Sequence, residues 1–165
     1  LRVYTNPNKL QERKRANFIG IKQTESDFSF ETKMTFSPSI NSDESGIAIV
    51  QKDNNFLSLT IKKFNEDIFL ELKLMNNVET SIASKLIDHK CTLPVQLKVE
   101  SYQNNYRFYY AQKNDDFQLF AETPADHLLS HGYTGAHIGL YTTSNGQMST
   151  GYADFDRVEY TSVKK

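Results

Sequence analysis

Apolar and polar residues alternate along this chain with a period of two, and this alternation limits the fold more than any other feature of the sequence. In residues 28–36 the even positions are mostly apolar, whereas Glu31, Lys33 and Thr35 occupy positions between them. Successive side chains of a β-strand point to opposite faces, so the pattern predicts a strand with one buried and one solvated face. Apolar residues at helical spacing are almost never found. The chain is therefore predicted to be all-β.

About a dozen short strands are predicted, spaced about 8–12 residues apart as in all-β sandwiches and barrels. They are expected at residues 1–4, 17–22, 28–36, 46–51, 56–62, 68–74, 80–84, 95–100, 106–110, 117–121, 136–142 and 153–160. Turns rich in Asn and Asp separate them. These side chains tolerate the left-handed backbone of tight turns, which suits a chain with only 7 Gly. The one helical candidate is a single turn at residues 125–130.

The composition excludes several classes of partner. The chain has 165 residues, with 19 Lys and Arg against 20 Asp and Glu, a formal net charge of −1. Nucleic acids and anionic membrane surfaces bind proteins with a strong basic surplus, so neither is expected as a partner. No apolar run approaches the roughly 18 residues of a membrane span. Cys91 is the only cysteine, so packing rather than a disulfide must stabilise the fold, and the cellular compartment stays open.

The length predicts one domain over residues 1–165, because a chain of this size can bury about 70% of its unfolded surface in a single core. The sequence does not begin with Met. We therefore expect it to be one domain of a longer protein.

Nucleophile and metal patterns are weak in this sequence. His89 lies two residues before Cys91, a spacing that is more often accidental than catalytic in a strand-rich chain. His127, His131 and His137 fall within eleven positions, but their spacings of four and six residues match no zinc pattern. A structural or surface role is expected for these histidines, and no cofactor is expected.

An acidic strand near the end of the chain offers a pair of carboxylates. Residues two apart on a strand point to the same side about 6.6 Å apart, so Asp154 and Asp156 could act together. Glu159 would point the other way unless a bulge intervened. The plainer interpretation is a polar strand face, and Asp156 is also a candidate ligand for a structural calcium, a site that the sequence alone does not establish.

Exposed aromatic rings could bind sugars by stacking against pyranose rings. Phe at alternate strand positions is expected in the core, whereas five tyrosines are predicted near strand ends or loops: Tyr4, Tyr102, Tyr133, Tyr141 and Tyr152. Tyr133 stands out because Gly132 and Thr134-Gly135 flank it just before a strand. The alternative for Tyr133 is a tyrosine corner packed on the sandwich edge.

Five segments of the sequence resemble segments of one family, in the same order along the chain. Residues 131–141 (HGYTGAHIGLY) and 152–160 (YADFDRVEY) look like the end of the C-terminal concanavalin A-like domain of family 43 glycoside hydrolases, in the β-xylosidase and arabinofuranosidase branch. That branch has a G-F-T-G-A-x-x-G segment and closes on A-D-F-D-x-x-x-Y. Residues 27–38 are similar to its H-F-S-F-x-A-E-T-K-L-x-F-x-P segment. Residues 1–4 and 107–110 match its opening and its R-F-Y-Y strand.

The resemblance implies a concanavalin A-like jelly-roll sandwich of two antiparallel sheets, attached to a five-bladed β-propeller that holds the catalytic carboxylates. It further implies that the G-F-T-G loop lies at the rim of the active site, where its ring helps to close the substrate pocket. By position that ring is Tyr133, with His131 and Thr134 beside it. The change from Phe to Tyr adds a hydroxyl group. The expected function is an accessory domain, with the propeller and a xylan- or arabinan-derived oligosaccharide as partners.

Two other functions remain open. A free-standing carbohydrate-binding module would bind sugar on an aromatic platform of the concave sheet, although the absence of Trp argues against such a platform. A hydrolase acting through Asp154 and Asp156 is the third hypothesis.

Overall fold

The computed structural model describes residues 1–12, 16–88, 94–112, 115–128 and 135–162. Within these residues the chain forms twelve β-strands and two short 3-10 turns, at Leu10–Glu12 and Ala125–Leu128. The strands are β1 (Arg2–Tyr4), β2 (Asn17–Lys22), β3 (Phe28–Ser37), β4 (Glu44–Lys52), β5 (Asn55–Phe64), β6 (Asp67–Asn76), β7 (Val78–Asp88), β8 (Val95–Tyr102), β9 (Asn105–Gln112), β10 (Gln118–Pro124), β11 (His137–Thr143) and β12 (Tyr152–Ser162).

The strands form two six-stranded sheets, and every neighbouring pair is antiparallel. The first sheet has the order β1-β12-β3-β8-β9-β10 and the second the order β2-β11-β4-β5-β6-β7. The prediction of an all-β sandwich of two antiparallel sheets is therefore confirmed. The predicted helical turn is a 3-10 turn over its first four residues, Ala125–Leu128, and no helix among the described residues is long and apolar enough to span a membrane.

The core lies between the sheets and follows the predicted alternation. Every second residue of β3 is buried, from Phe28 to Phe36, and β8 repeats the pattern from Val95. The second sheet contributes aliphatic side chains from its four central strands, including Ile47, Leu59, Leu72, Ile138 and Leu140. The expectation that alternating Phe residues belong to the core is met at Phe28, Phe30 and Phe36.

Asn residues form the tight turns, as the sequence predicts. Asn65, Asn77, Asn104 and Asn145 all have positive φ angles, between 52° and 63°. Asn adopts this left-handed conformation at a lower cost than most residues because its short polar side chain can hydrogen-bond locally. Gln103 also has a positive φ, 48°, which the sequence did not indicate.

One end of the sandwich is here called the loop end. The β4–β5, β6–β7 and β8–β9 connections lie there, together with the 3-10 turn Ala125–Leu128 that follows β10. β11 begins at the same end, with His137 opposite Lys22 and Val50. Residues 129–134 therefore follow the 3-10 turn and precede β11 in the chain, and both of these elements have their adjoining ends at the loop end.

Candidate functional site

The three residues predicted at the substrate rim, His131, Tyr133 and Thr134, lie outside the described residues. The residues on both sides of the segment 129–134 are described, and they fix where its two ends lie. Their role stays a prediction, and the structure bears on it through these flanking residues.

Hydrogen bonds hold the residues before the segment to the loop end. The Ala125 amide donates to the carbonyl oxygen of Asn104 at 2.9 Å, and the Asn104 side chain donates to Asp126 at 2.6 Å. The Asn55 side chain donates to the carbonyl oxygen of His127 at 2.7 Å. Leu128 is buried in the core. The segment thus starts from a turn that is fixed to both sheets.

The residues after the segment are equally constrained. The Gln23 amide donates to the carbonyl oxygen of Ala136 at 2.8 Å, and Ala136 is buried. A Cβ atom at Gly135 would lie 3.1 Å from the carbonyl oxygen of Gln23, a tight contact. A Cβ atom at Gly139 would lie only 2.1 Å from the carbonyl oxygen of Ile19. The two glycines of the G-A-x-x-G motif therefore allow β11 to pack closely against β2 and the residues that follow it.

The acidic strand departs from regular alternation at Asp156. β12 has a bulge, because Phe155 lies opposite Met34 while Arg157 lies opposite Lys33, and Asp156 is the extra residue. The regular alternation on which the pairing of Asp154 with Asp156 depended is interrupted there. The alternation on which this possibility depended does not continue through Asp156, and a bulge cannot be read from one strand alone.

Arginines neutralise two acids of this strand. Arg2 makes two hydrogen bonds to Asp154, at 2.8 and 2.9 Å, and these bonds lower the pKa of the Asp154 carboxyl. The bulge places Glu159 opposite Glu31 on the same outer face, where Arg157 bonds to Glu31 and lies 3.7 Å from Glu159. Carboxylates paired with arginines suit a solvated strand face. A general acid needs the opposite arrangement, a carboxyl whose pKa is raised.

Sequence analysis missed a buried ionic cluster on the outer face of the second sheet. Glu44 is almost completely buried at the start of β4. One of its carboxylate oxygens accepts from Lys73 at 3.2 Å and Asn145 at 3.1 Å. The other accepts from Thr60 at 2.9 Å and Lys73 at 3.0 Å. Burial alone would lower the pKa of Lys73, but Glu44, with smaller effects from Glu79 and Glu71, outweighs burial and raises it.

The cluster lines a small cleft with about 280 Å³ of empty space, counted out to the solvent. Gln11 also lines this cleft, and the amide of Leu10 lies 3.4 Å from the Tyr141 hydroxyl oxygen. Tyr141 is buried, and its burial raises the pKa of its hydroxyl well above the usual range. Residues 10–11 thus lie against a sheet face that the alternation predicted to be solvated. Because every oxygen of Glu44 has protein donors, the cluster is suited to fixing this face rather than to reacting.

The remaining candidate residues do not form a single site. Tyr4, at 57% exposed, lies against Tyr152 with ring centroids 5.8 Å apart, beside the opposite end of the sandwich from Tyr102. Among the described residues, no group of three or more His, Cys, Asp or Glu side chains is placed to hold a metal ion. His89 and Cys91 lie outside the described residues.

Comparison with known proteins relates this fold to one family. A family model described as the β-xylosidase C-terminal concanavalin A-like domain matches residues 1–161. A non-reducing end α-L-arabinofuranosidase of Bacteroides ovatus is 25% identical over 151 residues, which are 87% of this chain and 27% of that protein. A xylosidase/arabinosidase of Butyrivibrio fibrisolvens is 25% identical over 160 residues, 94% of this chain and 30% of that protein. The chain therefore spans less than a third of either relative.

Solved structures agree with this fold. A family 43 glycoside hydrolase of Bacillus licheniformis superposes with a TM-score of 0.88 at 21% identity, covering 98% of this chain and 32% of that one. A xylan β-1,4-xylosidase of Bacillus halodurans superposes with a TM-score of 0.86 at 17% identity, covering 97% of this chain and 32% of that one.

Proposed function

Because this chain belongs to the family of β-xylosidase C-terminal concanavalin A-like domains, we propose that it is the accessory domain of a larger family 43 glycosidase. The observation on which the proposal depends is the match over residues 1–161, together with relatives more than three times as long as the matched region. In this proposal residues 1–165 form one domain, and a catalytic β-propeller in the same protein supplies the reacting carboxylates. The substrate is a xylan- or arabinan-derived oligosaccharide.

The domain's contribution to catalysis is a loop that closes the substrate pocket, with the Tyr133 ring at the rim and His131 and Thr134 beside it. The anchoring of residues 125–128 and 135–136 supports this role. A short segment whose two ends are fixed can hold an aromatic ring in position at a low entropic cost on binding. The Tyr133 hydroxyl adds a group that can hydrogen-bond a sugar.

The state of the β12 acids also favours an accessory role over hydrolysis by this chain. Asp154 is ion-paired with Arg2, and Glu159 lies beside Arg157. The pKa of Asp154 is lowered by its hydrogen bonds to Arg2, whereas acid–base catalysis of glycoside cleavage requires a carboxyl whose pKa is raised.

No described feature favours a free-standing sugar-binding module. Such a module would need several exposed rings on one face. The exposed large aromatic residues of the described chain are Tyr4, Phe64 and Tyr102, and they belong to different strands and turns. The buried Phe56 and Tyr141 on the outer face of the second sheet cannot present their rings to a sugar.

Replacing Tyr133 in the full-length enzyme tests the proposal. We expect Tyr133→Ala to lower kcat/KM on aryl xylosides or arabinofuranosides more than tenfold, which corresponds to about 1.4 kcal/mol of lost transition-state stabilisation. Tyr133→Phe keeps the ring and should retain most of the activity. Tyr4→Ala, which removes an exposed ring far from the loop end, is the matched control and should leave kcat/KM unchanged. An unchanged ratio for Tyr133→Ala would refute the rim role.

A further inference from the structure

One side of the sandwich is open, and we propose that the catalytic domain of the parent enzyme packs against it. This open edge is defined by Ile19 and Ile21 of β2 and Val158 of β12. The inference rests on the proposed function, because it names the surface through which the accessory domain would be attached. Nothing in the family match itself specifies which surface is used.

The three aliphatic side chains point between the sheets and yet remain exposed. Residues directly opposite each other in an antiparallel ladder share a face. Ile19 lies opposite the core residue Leu140, and Ile21 opposite the core residue Ile138. Ile19, Ile21 and Val158 are nevertheless 51%, 48% and 47% exposed. The space between the sheets is therefore not covered on this side by the described residues.

The outer side of the backbone at the open edge also lacks a neighbouring strand within the part of the chain that the structure describes. β1 covers β12 only opposite residues 152–154, and a pair of backbone hydrogen bonds between Leu1 and Phe155 ends this ladder. Among the described residues, no strand lies beside residues 156–162 on that side, and β2 has β11 as its only neighbour. Exposed strand edges with aliphatic side chains are a liability for a protein unless something covers them.

The opposite side of the sandwich, formed by β7 and β10, is closed by side chains. Lys85 points inward and donates to the Tyr110 hydroxyl at 2.7 Å, and that hydroxyl donates to Gln118 at 3.1 Å. Gln112 also bridges the sheets, donating to the carbonyl oxygen of Ile87 at 2.8 Å. Both sides end in edge strands, and they differ in whether described side chains close the space between the sheets.

The length of the relatives and the direction of β1 support the catalytic domain as the occupant. β1 is antiparallel to β12, so a chain traced backward from Tyr4 to Leu1 runs toward residues 156–162. In a longer protein, residues preceding Leu1 would continue along the open edge toward the loop end. Relatives of this chain have more than two thirds of their length outside the matched region. Aliphatic side chains beside free backbone groups suit a polypeptide surface, whereas sugars are bound by exposed rings.

Hydrogen–deuterium exchange on the full-length enzyme tests this surface. We expect peptides covering residues 17–22 and 156–162 to exchange at least tenfold more slowly than the peptide covering β7, which is the other edge of the second sheet. Ile21→Asp should remove this protection, while Ile82→Asp on β7 is the matched control and should not. If Ile21→Asp does not fold, the wild-type exchange comparison still decides the question. Equal exchange at both edges would overturn the proposal.

Two further measurements separate the remaining explanations. Light scattering at the concentration used for exchange should show a monomer, and protection that is lost when a dimer dissociates on dilution would overturn the proposal in favour of a second copy of the chain. The Tyr133→Ala kinetics provide the second measurement. A large loss of kcat/KM without protection of the open edge would mean that the accessory role stands and this surface is wrong. If neither the loss of kcat/KM nor the protection is observed, both proposals are refuted.

Discussion

At the scale of single residues, the most consequential arrangement is the ion pair between Glu44 and Lys73. The two side chains are only 3% and 13% exposed, so both charges are largely removed from water. Thr60 and Asn145 supply the other hydrogen bonds that the Glu44 carboxylate needs. Removing one member of such a pair leaves an uncompensated charge, which costs more than the pair itself contributes.

We therefore expect Lys73→Met to destabilise the protein by about 3–5 kcal/mol, because the buried Glu44 carboxylate loses the ammonium group 3.0 Å away. Urea unfolding monitored by fluorescence or circular dichroism measures this change. Arg107→Met is the matched control, since the pair between Arg107 and Glu122 is 46% and 43% exposed and solvent screening should leave it with little effect on stability. Adding Glu44→Gln to Lys73→Met should recover part of the loss. Equal effects of Lys73→Met and Arg107→Met would show that the Glu44 pair is not buried in solution.

At the scale of elements, glycines set the distance between strands of the second sheet. A Cβ atom at Gly139 would lie 2.1 Å from the Ile19 carbonyl oxygen and 2.4 Å from the Gly20 Cα atom. Both contacts are with backbone, so no side-chain rotation can relieve them. Gly46 is similar, since its Cβ atom would lie 2.1 Å from the carbonyl oxygen of Leu59. The sheet can keep its present register only with glycine at these positions.

Gly139→Ala should consequently destabilise the fold by about 2 kcal/mol or more, because β2 has to move away from β11. Thermal unfolding followed by circular dichroism provides the measurement. Gly146→Ala is a useful comparison: its Cβ atom would meet nothing within 4 Å, and only its φ of 87° opposes the substitution. That strain should cost about 1 kcal/mol. A smaller loss for Gly139→Ala than for Gly146→Ala would contradict the close-packing argument.

At the scale of the whole molecule, the described surfaces divide by their chemistry. The outer face of the first sheet carries ion pairs typical of a solvated surface, including those of Arg157 with Glu31 and Lys98 with Glu100. The outer face of the second sheet is partly covered by residues 10–11 and contains the buried cluster around Glu44. The open edge and the loop end are the surfaces that we propose for contact with the catalytic domain.

This division predicts that the isolated chain is inert. We expect no turnover of aryl xylosides or arabinofuranosides, and no heat of binding with xylo- or arabino-oligosaccharides at millimolar concentration in calorimetric titration. Turnover abolished by Asp154→Asn or Asp156→Asn would instead establish a hydrolase. Millimolar or tighter binding without turnover would favour a carbohydrate-binding module over an accessory domain.

Local sequence patterns were sufficient to predict the strands and tight turns of this fold. The period of two predicted strands such as β3 and β8, because each residue of a half-buried strand is selected by the face to which it points. Asn in the turns predicted the positive φ angles of Asn65, Asn77 and Asn104. The sequence segments that resemble the family were confirmed by the match over residues 1–161.

The sequence by itself thus determined the all-β class, the two-sheet sandwich and the family, since these depend on local alternation and on motifs. Only the tertiary structure decided three other features: the bulge at Asp156, the burial of Glu44 and the opening beside Ile21. Each of them depends on which strand or segment lies next to the residue. A period of two specifies that a side chain leaves the sheet on one face, but the neighbours that the fold brings to that face decide whether it meets water, an ion pair or another domain.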